Sequence, residues 1–154
     1  LDELKIKGFD VIGVGKIHHI FAGKGLTEYV FTQGNTDGMN KTTEYQNKDF
    51  NGLCFVNLVD FDMVYGHRRD VDGYAKALTE FDKWLGDFTR NMREDDALII
   101  TSDHGCDPNF KGTDHTRECV PFILYGKNIE PENLGTIEGY DYISKVVKEI
   151  LIKE

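Results

Sequence analysis

Four short apolar runs constrain the fold of this chain more than any other feature of its sequence. Each run contains β-branched or aromatic residues and is bounded by turn-forming or charged residues. They cover residues 9–14, 53–59, 97–102 and 120–125. Their nearly continuous apolar content is typical of strands that are covered on both faces. The sequence therefore predicts buried strands in a mostly parallel sheet.

An amphipathic helix is predicted between the second and third runs. Its apolar residues recur at steps of three and four, which places them on one face of a helix. They are Tyr74, Leu78, Phe81, Leu85, Phe88 and Met92. We interpret this stripe as core and not as a cofactor-binding surface. Asp70 or Asp72 is expected to cap the start of the helix, and residues 93–96 are expected to end it.

Further segments complete the predicted order of elements. Residues 1–5 are typical of the last turns of a helix ending at Gly8, and residues 140–152 predict a closing helix. The polar stretch 23–50 predicts turns and a short helix at 42–46. Strands that alternate with helices indicate an α/β sandwich with a mostly parallel sheet. Because the chain does not begin with methionine, we interpret it as a fragment of a longer protein.

Charge and cysteine content exclude several classes of function. Eighteen basic and 27 acidic residues give a net charge of −9, which argues against nucleic acid or an anionic membrane surface as the main partner. No apolar run approaches the roughly 20 residues that span a bilayer. The three cysteines are far apart and form no C-x-x-C pair, so reduced thiols and a cytoplasmic location are expected.

Histidines and carboxylates cluster at the predicted strand ends, where α/β folds bind their ligands. Asp62 and His67 follow the second run, Asp103 and His104 follow the third, and His115 precedes the fourth. Imidazole and carboxylate without thiolate suit a divalent ion such as Mn²⁺ or Zn²⁺. Five such donors are too many for one open site, and they fit two neighbouring ions that share a bridging group.

The local sequence around these donors supports the same interpretation. A turn opened by Gly66 is expected to let the Asp62 and His67 side chains fold back to one point. The two remaining histidines, His18 and His19, are interpreted as solvent-exposed or locally hydrogen-bonded.

The motifs around the donors resemble two nested families. Asp-His-Gly at 103–105 after an apolar run, with His115 before another, resembles the metal-binding core of the alkaline phosphatase superfamily. Within it, Asn-Leu-Val-Asp-Phe-Asp at 57–62, Tyr-Gly-His-Arg-Arg-Asp at 65–70 and Gly-Thr-Asp-His-Thr-Arg-Glu at 112–118 resemble phosphopentomutases. Cofactor-independent phosphoglycerate mutases have a shorter Asp-to-His interval and lack the Arg-Arg-Asp that follows.

The resemblance implies an alkaline-phosphatase-like three-layer α/β sandwich with a mostly parallel sheet. Residues 1–154 would be the C-terminal part of its metal-binding core domain, incomplete because an N-terminal part is absent. That part would supply a cap domain, a further metal-binding aspartate and the threonine nucleophile, and it would associate with this chain. No catalytic nucleophile is therefore expected in the chain, since nothing marks Thr113 or Thr116 as one.

The resemblance also assigns roles to residues of the chain. One ion would be held by Asp62, His67 and His115, and the second by Asp103 and His104. Both ions would be Mn²⁺, and Lys16 would bind the substrate phosphate.

The activity implied is that of an isomerase that interconverts (deoxy)ribose 1-phosphate and 5-phosphate by phosphoryl transfer at two metal ions. The chain alone is expected to be inactive. Two alternatives stay open: a metal-dependent phosphatase or phosphodiesterase of the same superfamily, and a non-catalytic metal-binding fragment. Arg68 and Arg117 are interpreted either as electrostatic helpers or as partners of local acids.

Overall fold

The computed structural model describes residues 1–152 and has a mixed α/β architecture. Its helices are α1 (Asp2–Ile6), α2 (Ile17–Ile20), α3 (Asn35–Gln46), α4 (Val71–Arg90) and α5 (Asp141–Leu151), with a π-helical segment at Phe61–Gly66. Its strands are β1 (Asp10–Val14), β2 (Glu28–Val30), β3 (Gly52–Val56), β4 (Leu98–Thr101) and β5 (Phe122–Tyr125). Among these residues, no helix combines the length and apolar character needed to cross a membrane.

A parallel three-stranded sheet forms the centre of the fold, in the order β2-β1-β3. Side chains of β1 alternate between its two faces. On one face Val11 packs with residues of α1 and α2 and with the apolar side of α5. On the other face Ile12 and Val14 pack with Tyr45 of α3. Helices therefore cover both faces, which confirms the α/β class and the predicted burial of the first strand.

The last two strands differ from the predicted arrangement. β4 and β5 pair antiparallel, with Ile99 opposite Leu124, and form a sheet of their own among residues 1–152. A parallel connection needs a crossover of a dozen or more residues, usually helical. The segment between β4 and β5 contains no helix within the described part of the chain, so the strand returns beside its predecessor.

The amphipathic helix is confirmed as α4, one residue after its predicted cap. The Asp70 side chain accepts a hydrogen bond from the Gly73 N–H at 2.9 Å, which satisfies one free donor of the first turn. Trp84 donates from Nε1 to Thr43 Oγ1 at 3.0 Å and ties α4 to α3. The closing helix is also confirmed, as α5.

The polar segment between β1 and β3 is more regular than predicted. The short helix expected at 42–46 begins seven residues earlier as α3, and the strand β2 was not predicted. Asn35 and Asp60 exchange two hydrogen bonds, Asn35 N–H to Asp60 Oδ2 at 2.6 Å and Asp60 N–H to Asn35 Oδ1 at 2.9 Å. This contact between distant residues stabilises the first turn of α3, where the sequence contains turn-forming residues.

Candidate metal centre

The π-helical segment after β3 brings Asp62 and His67 onto one side of the backbone. The His67 N–H donates to the Asp62 carbonyl at 2.9 Å, the i to i+5 bond of a π-helix, a rare geometry that is frequent at functional sites. His67 Nε2 lies 3.3 Å from Asp62 Oδ1. The turn expected at this position is thus a wide helical turn, and it aims both side chains at one point.

His115 reaches the same point from the connection between β4 and β5. A backbone bridge closes this loop, because the Thr116 N–H donates to the Gly105 carbonyl at 3.0 Å. The His115 ring stacks on His104 with a centroid distance of 3.6 Å. Its Nε2 atom lies 3.4 Å from Asp62 Oδ1 and 3.2 Å from the Nε2 atom of His67.

The three donor atoms form a nearly equilateral triangle with sides of 3.2 to 3.4 Å. A point equidistant from them lies about 1.9 Å from each, slightly less than the 2.0–2.2 Å typical of zinc bonds to nitrogen and oxygen. The three residues would therefore be able to hold one divalent ion. The side chains of Asp62, His67 and His115 are 33%, 39% and 46% exposed, so solvent or a substrate can approach the centre.

A backbone contact fixes which nitrogen of His67 faces the triangle. Its Nδ1 atom lies 2.5 Å from the carbonyl oxygen of Thr113. Because a carbonyl only accepts hydrogen bonds, Nδ1 carries the proton and Nε2 presents its lone pair. Such orientation of an imidazole by its second nitrogen is usual for metal-ligating histidines.

Asp103 and His104 form a second, looser pair next to the triangle. His104 Nε2 lies 3.6 Å from Asp103 Oδ1, and the Asp103 side chain is 73% exposed. The pair adjoins the triangle through the stacked rings of His104 and His115. With two donors it is open to further ligands.

The predicted substrate-binding lysine contacts the residue that follows Asp62. Lys16 follows β1, and its ammonium contacts the sulfur of Met63, the residue after Asp62. Gly15, at φ +81, permits this position, because a Cβ there would lie 2.5 Å from the Asn57 carbonyl oxygen. Among the described residues, Lys16 makes no hydrogen bond with the three triangle residues.

Two side chains that sequence reasoning did not single out support the centre. The Cys106 thiol donates to Asp62 Oδ1 at 3.6 Å, and burial, reinforced by the Asp62 charge, raises the pKa of this thiol. The Arg69 guanidinium donates to backbone carbonyls of the loop that carries His115. Arg69 falls in the Arg-Arg-Asp motif, but the sequence offers no signal that separates it from Arg68.

Comparison with known families agrees with this geometry. The sequence pattern of the metalloenzyme superfamily matches residues 11–152, which include all five predicted donors. The chain belongs to the metalloenzyme superfamily. Membership of this superfamily indicates a protein that uses divalent metal ions, and the triangle of Asp62, His67 and His115 is a group able to hold one.

Curated relatives within the superfamily confirm the resemblance drawn from the motifs. The chain is 55% identical over 150 residues to the phosphopentomutase of Lachnoclostridium phytofermentans, covering 97% of the chain and 38% of the relative. It is 52% identical to the phosphopentomutases of Carboxydothermus hydrogenoformans and Clostridioides difficile, covering 97% and 98% of the chain and 39% of each relative. The chain thus spans about two fifths of the length of these relatives.

Proposed function

We propose that this chain is the metal-binding part of a phosphopentomutase that interconverts (deoxy)ribose 1-phosphate and 5-phosphate. The triangle of Asp62, His67 and His115 carries the proposal, because its donors and spacing suit a divalent ion. Identity of 50–55% to curated phosphopentomutases over nearly the whole chain supports the same activity. The chain would form the C-terminal part of the metal-binding core domain.

The proposed ligand sets follow the two groups of donors. Asp62, His67 and His115 would hold one ion, Asp103 and His104 would hold the second, and both ions would be Mn²⁺. Bound ions would activate the attacking oxygen and neutralise charge on the transferring phosphoryl group. Phosphoryl transfer depends mainly on such charge stabilisation and on alignment.

The protein's own residues orient these donors and the substrate. The Thr113 carbonyl holds His67 in the tautomer with a free Nε2, and the Cys106 thiol donates to the carboxylate of Asp62. Lys16, whose ammonium contacts Met63, would bind the phosphate of the pentose.

The remaining catalytic parts would come from outside this chain. A threonine nucleophile, a further metal-binding aspartate and a cap domain would belong to the rest of the protein, which would be the partner of this chain in the cytoplasm. We therefore expect the purified chain to show no mutase turnover by itself. Full turnover by the 154-residue chain would contradict this assignment.

A chimera tests the proposed activity directly. The matching segment of the Lachnoclostridium phytofermentans phosphopentomutase is replaced by this chain, which is 55% identical to it. Conversion of ribose 1-phosphate to ribose 5-phosphate is then measured with Mn²⁺, beside the unaltered relative. We expect mutase activity in the chimera and its loss in His115→Ala. A folded, Mn²⁺-binding chimera that only releases inorganic phosphate would instead indicate a phosphatase, and one without either activity would indicate a non-catalytic metal-binding module.

A further inference from the structure

Arg69 occupies an unusual backbone position between the two segments that build the triangle. Its φ angle is +55°, in the left-handed region where residues other than glycine are uncommon. Such a conformation is strained and persists where surrounding contacts enforce it. At Arg69 the turn is closed by backbone hydrogen bonds, from the Arg69 N–H to the Gly66 carbonyl and from the Asp70 N–H to the Tyr65 carbonyl, both at 3.0 Å. The guanidinium of Arg69 adds contacts with a distant loop.

The guanidinium of Arg69 binds one loop at three points. Its nitrogens donate to the carbonyl oxygens of Asp107 and Asp114, each at 2.7 Å, and to the carbonyl of Gly112. The planar guanidinium has five N–H donors in a fixed fork, so it can serve several carbonyls at once. A lysine ammonium is a compact charge without this fork.

The loop held by Arg69 is the one that carries His115, and it has few other means of staying ordered. Residues 109–115 are exposed and belong to no helix or strand. The base of the loop is closed by the bridge between Gly105 and Thr116 and by the Asp107 N–H, which donates to Thr116 Oγ1 at 2.7 Å. Farther out, the loop contacts the π-helical side through Arg69 and through the hydrogen bond of His67 Nδ1 to the Thr113 carbonyl. His115 itself also approaches His67 and Asp62.

We propose that Arg69 is a positioning residue that holds the loop so that His115 faces Asp62 and His67 before any metal binds. Without it, the exposed residues 112–115 would lose the two hydrogen bonds that flank Thr113, at Gly112 and Asp114. The Thr113 carbonyl that accepts from His67 would then be held less firmly. The consequence for metal affinity rests on the proposed metal centre. The ordering of the loop does not, because it concerns the metal-free chain.

The direction in which metal affinity changes when Arg69 is removed distinguishes a positioning role from a purely electrostatic one. Arg69 is a positive charge close to a proposed cation site, so its removal by charge alone would strengthen metal binding. Positioning predicts the opposite. Arg68 is the matched control, because its side chain is exposed and it makes no hydrogen bond with residues 1–152.

The experiment compares the full chain with Arg69→Gly, Arg69→Lys and Arg68→Gly. Glycine accepts the left-handed backbone without strain, so Arg69→Gly removes the side chain while the turn is preserved. Amide hydrogen exchange of Asp107, Phe110 and Thr116, whose N–H groups are hydrogen-bonded, is measured without metal. Imidazole ¹⁵N spectra report the His67 tautomer, and calorimetry with Mn²⁺ reports affinity.

In Arg69→Gly we expect faster exchange at these amides, mixed tautomers at His67 and Mn²⁺ affinity that is lower by roughly 10- to 100-fold, as for other residues that orient metal ligands. Arg69→Lys should show a similar loss, and millimolar guanidinium ion should partly restore Arg69→Gly. Arg68→Gly should keep the exchange rates and the His67 tautomer of the unaltered chain and bind Mn²⁺ no more weakly.

Unchanged exchange and tautomer in Arg69→Gly, or equal or higher Mn²⁺ affinity, would overturn the proposal. If the unaltered chain binds no Mn²⁺, the proposed metal centre fails, while exchange and imidazole spectra still decide the role of Arg69.

Discussion

Gly66 offers the sharpest test of how the π-helical segment packs against the loop that carries the histidines. It is buried, and a Cβ at this position would overlap Cys106 Sγ and lie 2.9 Å from the Phe61 carbonyl oxygen. The backbone at Gly66 does not have a positive φ angle. Gly66→Ala therefore introduces a steric conflict without backbone strain.

The expected magnitude follows from two opposing effects. Inserting a methyl group into a packed site costs about 1–3 kcal/mol, whereas alanine in place of glycine in a helix gains about 0.5–1 kcal/mol. The net loss of stability for Gly66→Ala should be about 1–2 kcal/mol. Removing the sulfur should relieve part of it, because the Cβ of Cys106 would lie at an ordinary 3.6 Å.

Urea unfolding followed by circular dichroism measures this effect in Gly66→Ala, Cys106→Ala and the double variant. We expect a favourable coupling of about 0.5–1 kcal/mol in the double variant, with the residual loss due to the Phe61 carbonyl. Gly86→Ala in α4 is the matched control, because its Cβ would meet Arg90 at 3.6 Å and should stabilise the chain. A Gly66→Ala variant as stable as the original chain, or a loss unchanged by Cys106→Ala, would refute the packing argument.

Three further predictions concern the described residues. Asp70→Ala should lower the free energy of unfolding by about 1 kcal/mol in urea titrations, because the Gly73 N–H loses its cap. Burial raises the pKa of the Cys54 thiol to about 12, so the folded state holds this proton more tightly than the unfolded state. The protonated Cys54 thiol therefore contributes fully to stability below the unfolded pKa of about 8.5, and this contribution is lost as the pH rises toward 12. In unfolding experiments at alkaline pH, Cys54→Ala should show a smaller loss of stability with rising pH. In thiol labelling at pH 8, exposed Cys119 should react before Cys54 and Cys106, whose pKa values are raised; equal rates in the folded chain would contradict this order.

The sequence predicted the elements that depend on local patterns. The apolar residues of α4 recur with the period of a helix and lie on one face, so the pattern determines which face is buried. The apolar run of β1 is nearly continuous, which is typical of a parallel strand that is covered on both sides. The gathering of Asp62, His67 and His115 is predicted from strand ends that meet at one edge of a parallel sheet. In the structure His115 instead reaches the other two from the loop between the antiparallel strands β4 and β5.

The features that the sequence did not reveal depend on contacts between distant residues. α3 begins at Asn35 because Asp60, 25 positions later, bonds to its first turn. β5 pairs antiparallel with β4 because of the geometry of the loop between them. The apolar run at 120–125 predicts a strand but not its direction. Arg69 donates to backbone carbonyls that lie 38 to 45 positions farther along the chain. Because every residue has a backbone carbonyl, the sequence does not indicate which ones accept these hydrogen bonds.

Which donors bind each metal ion, and how tightly, stays a prediction. The structure brings His115 within 3.4 Å of Asp62 and 3.2 Å of His67, whereas Asp103 and His104 form a two-donor pair. We therefore expect the triangle to bind an ion more tightly than the pair. Variants at Asp103 should leave one binding event in a Mn²⁺ titration, and variants at Asp62 should remove the tighter one.

Calorimetric titration of the purified chain with Mn²⁺, beside His115→Ala and the control His19→Ala, shows whether Asp62, His67 and His115 hold a metal ion. His19 is exposed and lies outside the triangle, so its variant removes a histidine without altering the proposed centre. We expect binding by the original chain and by His19→Ala, and loss of the tighter site in His115→Ala. A chain that is folded by circular dichroism and binds no Mn²⁺, or binding that survives unchanged in His115→Ala, would contradict this expectation.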